Sequence, residues 1–143
     1  MLVSQILKHK GELIFACSPQ ETLGAAAELL NAQRIGAMMV LDGTDKVVGV
    51  ISERDIVRAI AGAGAKALAS PVASFMSRGI VYADPGESVD ALLERMTDRR
   101  IRHLPVCRDG QLIGVVSIGD LVKAKIAEAQ AEADGLKAYI AQG

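Results

Sequence analysis

The stretch GVISERDIV from Gly49 to Val57 returns as GVVSIGDLV from Gly114 to Val122, and no other feature constrains the chain as much. The duplication is longer than these nine residues. The segment that opens SPQETL at Ser18 lies over the one that opens DPGESV at Asp84, with Pro19 over Pro85, Glu21 over Glu87, Leu30 over Met96 and Ile35 over Ile101, each pair 66 positions apart. From Val47 over Leu112 onward the separation is 65, so the second copy has lost one residue in a turn. Self-similarity at such a period means that each copy is one supersecondary unit burying its apolar face on its twin. A single copy of about 60 residues would be marginal alone.

Periodicity gives the content of one copy. Leu23, Ala26, Ala27 and Leu30 recur at helical spacing behind Thr22, which can cap, and Val89, Leu92, Leu93 and Met96 repeat them behind Ser88. The period then changes. AMMVLDGTDKVVGVI and LPVCRDGQLIGVV are β-branched apolar runs split by Asp-Gly, the signature of a hairpin. A second helix starts at Ser52 and again at Ser117, and the short apolar pieces ELIFA and GIVYA predict a strand before each first helix. The expected order is strand–helix–strand–strand–helix, twice, a mixed α/β (α+β) chain. AGAGAKALASPVASFM, rich in Gly, Ala and Ser, reads as the connector. The expected organisation is a first repeat with its N-terminal lead-in over 1–68, a connector over 69–75, a second repeat over 76–128 and a helical tail over 129–143.

Composition excludes several functions. Sixteen Lys and Arg against 17 Asp and Glu leave a formal charge of −1, too little for a global attraction to nucleic acid or anionic lipid. With no Trp, two Phe and two Tyr there is little material for a base-stacking platform. No run approaches the ~18 apolar residues of a membrane span, and the N-terminus does not read as a signal peptide, so a cytoplasmic protein with neither membrane nor nucleic acid as partner is expected. Cys17 and Cys107 lie far apart without Cys-x-x-Cys or Cys/His spacing; they read as reduced, buried thiols, and no metal site is expected. His9, with no partner pattern, reads as a surface residue.

The repeated Ser-x-x-Asp admits two readings. As a capping box, the Ser hydroxyl accepts from the helix start and the Asp reaches back to the Ser main chain. As a binding motif, a helix start at the carboxyl end of a strand can receive a phosphate, the adjacent carboxylate can accept both hydroxyls of a ribose, and Gly49 and Gly114 would leave backbone open to a ligand. Cations near by differ between the copies. The second reads DRRIRHLPV, with Arg99, Arg100, Arg102 and His103, where the first has AQRIGAMMV, with Gly36 and Ala37 opposite Arg102 and His103. Arg99 and Arg100 also suit a solvated helix end. Arg54, between Ser52 and Asp55, is a cation at a helix start, where the dipole disfavours it and an anion facing it would be favoured. No nucleophile stands beside a His/Asp relay and no GxxxxGK[ST] occurs, so no enzymatic activity is expected.

The order TL…AAELL…RIGAMMVLD…VVGVISERDIV and its repeat resembles a tandem pair of cystathionine-β-synthase (CBS) domains, of the stand-alone bacterial type, from about Glu12 to Lys125. The resemblance implies two βαββα units packed pseudo-symmetrically through their sheets, with an adenosine ligand in the cleft between repeats: AMP, ADP or ATP, or else NAD or S-adenosylmethionine. It implies Asp55 and Asp120 as ribose ligands, Ser52 and Ser117 beside them, and Arg102 and His103 as phosphate contacts; Arg54 and Arg100 join the candidates on the charge arguments above. The chain leaves no room for a fused enzyme, so the resemblance implies a stand-alone sensor signalling to a regulated protein in trans. The alternative is a structural dimerisation scaffold with no physiological ligand.

Past the repeat, Val122, Ile126, Ala129, Ala133, Leu136 and Ile140 step by four and three, a heptad-like seam. Either the seam packs back on its own sheet or it joins two copies; a homodimer is the expectation, with Gly135 as the place where the stripe would break.

Overall fold

The computed structural model describes residues 1–10 and 15–142. Its elements are α1 (Val3–Lys10), β1 (Ala16–Cys17), α2 (Leu23–Gln33), β2 (Ala37–Leu41), β3 (Val47–Ser52), α3 (Glu53–Ala63), two short 3₁₀ turns (Ala65–Ala69 and Val72–Ser74), α4 (Val89–Arg99), β4 (His103–Arg108), β5 (Gln111–Ser117) and α5 (Ile118–Gln142). The fold class is the mixed α+β one expected, with a C-terminal helix. Among the described residues the chain forms two compact units. The first holds 15–81 and 109–112; the second holds 1–10, 82–108 and 113–142.

In the first unit β2 runs antiparallel to β3, with Met39 opposite Val50 and a bulge at Val40/Leu41, and β1 adds in parallel, Cys17 opposite Val40. The strand expected over ELIFA is this short β1; its Glu12, Leu13 and Ile14 lie outside the described residues. Thr22 caps α2 by accepting from the Ala25 N–H at 3.1 Å. The buried side of α2, Leu23, Ala26 and Leu30, meets Met38, Val40 and Ile51 of the sheet and Ile56 and Ala59 of α3. Burial in such a core stabilises by roughly 1.5–3 kcal/mol per large side chain.

The second unit repeats this plan. Ser88 caps α4 through the Ala91 N–H at 3.1 Å, and Val89, Leu92 and Met96 are buried with Leu104, Val106, Val116 and Leu121. The hairpin of β4 and β5 closes through Asp109 and Gly110 at φ 52° and 77°, the two positive values of a two-residue turn that matches strand twist. The first hairpin needs a longer turn, in which the Asp42 carboxylate accepts from Thr44 and Lys46 main chain at 2.8 and 3.0 Å. The missing residue falls in this turn.

GIVYA departs from expectation. It forms no strand, and only Ala83 bridges Val106 in parallel. Ile80 donates to the Arg78 carbonyl at 2.9 Å, a tight turn that takes the chain off the strand path, and Tyr82 is 44 % exposed, so only Ala83 of the run is buried. Gly135 does not break α5 either; the helix runs on to Gln142, flanked by a Gln130–Asp134 side-chain bond at 3.0 Å.

The segment read as connector is part of the first unit's core. Val72 and Met76 are buried there, and Val72, Ala73 and Leu23 N–H groups donate to Glu21, Pro19 and Ser70 carbonyls at 2.8, 3.0 and 2.8 Å. In the second unit Val3, Ser4 and Val89 make the same three bonds to Glu87, Pro85 and Met1, at 3.0, 2.9 and 3.0 Å. Val3 and Ile6 are buried as Val72 is. VSQILK in α1 and VASFMS after Pro71 are thus one repeated element, and each belongs to the unit of the other repeat.

Candidate functional site

Each candidate site grows from the strand–helix junction that the duplicated motif builds. Ser52 closes β3 in extended conformation, φ −121° and ψ 163°, and caps α3. Its hydroxyl oxygen accepts from the Asp55 N–H at 3.2 Å, while Asp55 Oδ2 accepts from the Ser52 N–H and hydroxyl, both at 2.9 Å. At the head of α5 the Ser117 N–H donates to Asp120 Oδ2 at 2.9 Å and the Asp120 N–H donates to the Ser117 hydroxyl at 3.1 Å. Both motif pairs are therefore capping boxes. That role does not exhaust a carboxylate, whose two oxygens offer about four acceptor sites in all. Asp55 Oδ1 also takes the Ser77 hydroxyl at a long 3.5 Å.

The motif glycines have another reason than ligand access. A Cβ on Gly49 would stand 2.5 Å from Met76 Sδ and 3.1 Å from the Ser77 carbonyl oxygen, and one on Gly114 would stand 2.5 Å from Leu7 Cδ2. The apolar side chains of the two lead-in elements occupy the space each glycine vacates. This corrects the expectation that the backbone there is open.

The cations are distributed as follows. In the second unit the Ile118 N–H, first in α5, donates to the Arg102 carbonyl at 2.8 Å, so Arg102 is tied to the helix start that holds Ser117 and Asp120. His103 follows, half-buried, at the head of β4, and Arg102 is exposed. The first unit makes the equivalent bond from Glu53 to Gly36, 3.0 Å, where no side chain is available. Arg100 is the left-handed C-cap of α4 at φ 55°, as Arg34 is of α2 at φ 54°, and both are exposed. Ser52, Arg54 and Asp55 share the other helix start, with Arg54 exposed.

Three residues that the sequence reading passed over lie beside Asp55. Arg58 and Phe75 line a shallow surface groove with it, together with Ala59, Gly62 and Ala63, and Ser77 is its hydroxyl neighbour. Arg58 carried a signal, since it lies three residues past Asp55 and four past Arg54 on one helix face. Phe75 and Ser77 carried none, because only tertiary folding brings the connector to α3.

Among the described residues no group of three His, Cys, Asp or Glu is placed to hold a metal, and no helix is long and apolar enough to cross a membrane. Cys17 is buried, which pushes its thiol up to about 11, with the Glu21 charge adding to the effect. Cys107 is half-buried rather than buried, and desolvation raises it too. Neither is a poised nucleophile, since the thiolate is the reactive form.

The sequence profile of the family described as CBS domain matches this chain twice, over residues 12–62 and 72–127. The chain is 32% identical over 149 residues to the CBS domain-containing protein CBSX3, mitochondrial, of Arabidopsis thaliana, covering 99% of this chain and 72% of the relative. Its fold matches the crystal structure of the CBS-domain containing protein ATU1752 from Agrobacterium tumefaciens with a TM-score of 0.84 at 40% identity, over 87% of this chain and 92% of that one. It also matches the CBS domain pair of protein MJ0100 in complex with 5′-methylthioadenosine and S-adenosyl-L-methionine, with a TM-score of 0.77 at 25% identity, over 87% and 98%.

Proposed function

Because the chain belongs to the CBS domain family and carries that domain twice, we propose that it is a non-enzymatic regulatory module that binds an adenosine nucleotide and signals to a partner protein. The ligand is AMP, ADP or ATP, with NAD and S-adenosylmethionine as the other adenosine compounds the site would take. The protein works in the cytoplasm as a homodimer. The observation that carries the reading is the main-chain bond from the Ile118 N–H to the Arg102 carbonyl, which sets an arginine beside the Ser117–Asp120 helix start. A phosphate there would meet the positive helix end and a guanidinium, while Asp120 would take ribose hydroxyls. The adenosine ligands named for the MJ0100 complex support the same class of ligand. Arg100 and His103 would assist in the second unit, and Ser52, Arg54 and Asp55 would form a weaker site in the first. In sequence order we assign the repeats to 1–68 and 76–128, with a connector at 69–75 and a helical tail at 129–143.

Calorimetry of the full chain with AMP, ATP, NAD and S-adenosylmethionine tests the proposal. Saturable binding is expected, and a ligand at about 100 times its dissociation constant should stabilise the fold by roughly 2.7 kcal/mol. Asp120→Asn is the informative variant: its amide oxygen keeps the cap while the charge is lost. It should weaken binding about tenfold or more and barely move the unliganded melting temperature; Asp55→Asn should weaken it less. Asp120→Ala should lower the melting temperature as well, because the cap goes with it. The capping boxes and the filled glycines also favour a second reading, a dimerisation scaffold without a ligand. Absence of binding to all four compounds would establish that one instead.

A further inference from the structure

We propose that the exposed stripe of α5 pairs with the same stripe of a second copy, the two helices running parallel and in register. This deepens the dimer reading above and rests on it. Every described residue from Ala129 to Gln142 is exposed, including Leu136, Tyr139 and Ile140 at 61, 75 and 67 %. A helical segment of this length with nothing packed on it is marginal in water, so its helicity needs a neighbour. Its own unit does not supply one. α5 faces that unit through buried Leu121, half-buried Ala124, Lys125, whose ammonium is 2.8 Å from Asp90, and Glu128, whose carboxylate is 3.1 Å from the Met1 amino group. At about 100° per residue that face lies roughly 100° around the helix from the seam of Val122, Ile126, Ala129, Ala133, Leu136 and Ile140.

The spacing of the seam places Ile126, Ala133 and Ile140 at the a positions of a heptad and Val122, Ala129 and Leu136 at d. Charges then select the occupant and its direction. Lys123, Gln130 and Lys137 fall at e, and Lys125, Glu132 and Tyr139 at g. In a parallel pair each g residue meets the e residue of the next heptad across the seam, so Glu132 of each copy meets Lys137 of the other. In an antiparallel pair g meets g and e meets e, which sets Glu132 against Glu132 and Lys123 against Lys137. Only a parallel second copy makes the flanks attractive, and the small Ala129 and Ala133 layers let the two backbones approach.

The test uses the full chain and reads the dimer dissociation constant by analytical ultracentrifugation. Ile126→Glu with Leu136→Glu should give a monomer that still melts cooperatively, because both side chains are exposed. A dimer that persists in this variant overturns the seam and leaves the dimer reading standing, whereas an unsubstituted chain that is monomeric at every concentration overturns both. Glu132→Lys should weaken the dimer about three- to tenfold, and adding Lys137→Glu should restore it to within about twofold. Failure of that charge exchange to restore the dimer overturns the parallel direction. Ala129→Cys should form an oxidised dimer with itself, beyond any seen for the unsubstituted chain; cross-linking only in a mixture of Ala129→Cys with Ala133→Cys is the antiparallel result and overturns the proposal.

Discussion

Arg34 and Arg100 occupy the same position in the two repeats and share one anomaly. Each is a non-glycine residue at positive φ, closing a helix whose next N–H, from Ile35 or Ile101, reaches back to the carbonyl of Leu30 or Met96 at 3.1 and 3.0 Å. Glycine is the usual residue at such a left-handed cap, and a residue with a Cβ there costs roughly 1 kcal/mol. Arg34→Gly and Arg100→Gly should therefore each raise the unliganded stability by about 0.5–1 kcal/mol, less the entropy that glycine adds to the unfolded chain. The two should diverge with nucleotide. If Arg100 contacts phosphate, Arg100→Gly weakens AMP binding several-fold while Arg34→Gly does not, and paired melting and titration series on the two variants measure the difference. Equal affinities would remove Arg100 from the site and leave both arginines as helix ends. The same scale explains Ser52/Asp55 and Ser117/Asp120, where capping and binding use different acceptor sites of one carboxylate, so the motif alone cannot separate them.

The element that matters most beyond the motif is the lead-in. α1 and the segment after Pro71 make matching main-chain bonds and send Leu7 and Met76 into the space above Gly114 and Gly49. Each completes a core that the βαββα order leaves open. Ile6 is 8 % exposed in the second unit, so Ile6→Ala should cost about 2–4 kcal/mol, as core truncations do, although it stands near a chain terminus where substitutions are usually silent. Urea denaturation gives the value; a loss below about 0.5 kcal/mol would mean that α1 merely rests on the unit. Nearby, Arg95 bonds both carboxylate oxygens of Glu87 and the Tyr82 carbonyl, which fastens the irregular GIVYA run to α4 without a strand. The Arg95 bond holds the Glu87 carboxyl below the usual carboxylate range. Its contribution to stability is present above the unfolded carboxyl value and fades as pH falls through the lower folded one.

At the scale of the whole molecule, the cores and the tail answer to different partners. Each unit buries its own apolar set, and among the described residues no polar or charged side chain is fully buried, so core stability is a matter of packing. The tail from Ala131 onward contributes no buried side chain. A chain ending after Gln130 should thus keep its cooperative melting and its full response to AMP, with the midpoint at low protein concentration within about 2 °C of the intact chain, while losing the concentration dependence that a dimer imposes. Differential scanning calorimetry at two protein concentrations checks both halves of that statement. A large fall in the midpoint of the shortened chain at both concentrations would show that the tail supports its own unit.

What the sequence by itself determined is what depends on near neighbours and on repetition. The 66- and 65-residue offsets, the caps at Thr22, Ser52, Ser88 and Ser117, the helical stripes and the Asp109–Gly110 turn are local: each residue's conformation answers to partners within a few positions, and duplication shows each of them twice. The family was legible through the resemblance of the motifs that the repeats carry, and the CBS domain profile matches both copies. Tertiary structure decided the rest. That VSQILK and VASFMS are one element was hidden, because they lie 69 positions apart rather than 66 and share little sequence beyond the first Val; their matching main-chain bonds exist only in the fold. GIVYA read as a strand because an apolar run looks the same whether or not a sheet partner exists along its length. Gly49 and Gly114 read as openings for a ligand until Met76 and Leu7 were seen to fill them. Ser77 and Phe75 meet α3 across about 20 positions of chain, a contact made by excluded volume and burial in three dimensions, which no periodicity in one dimension encodes.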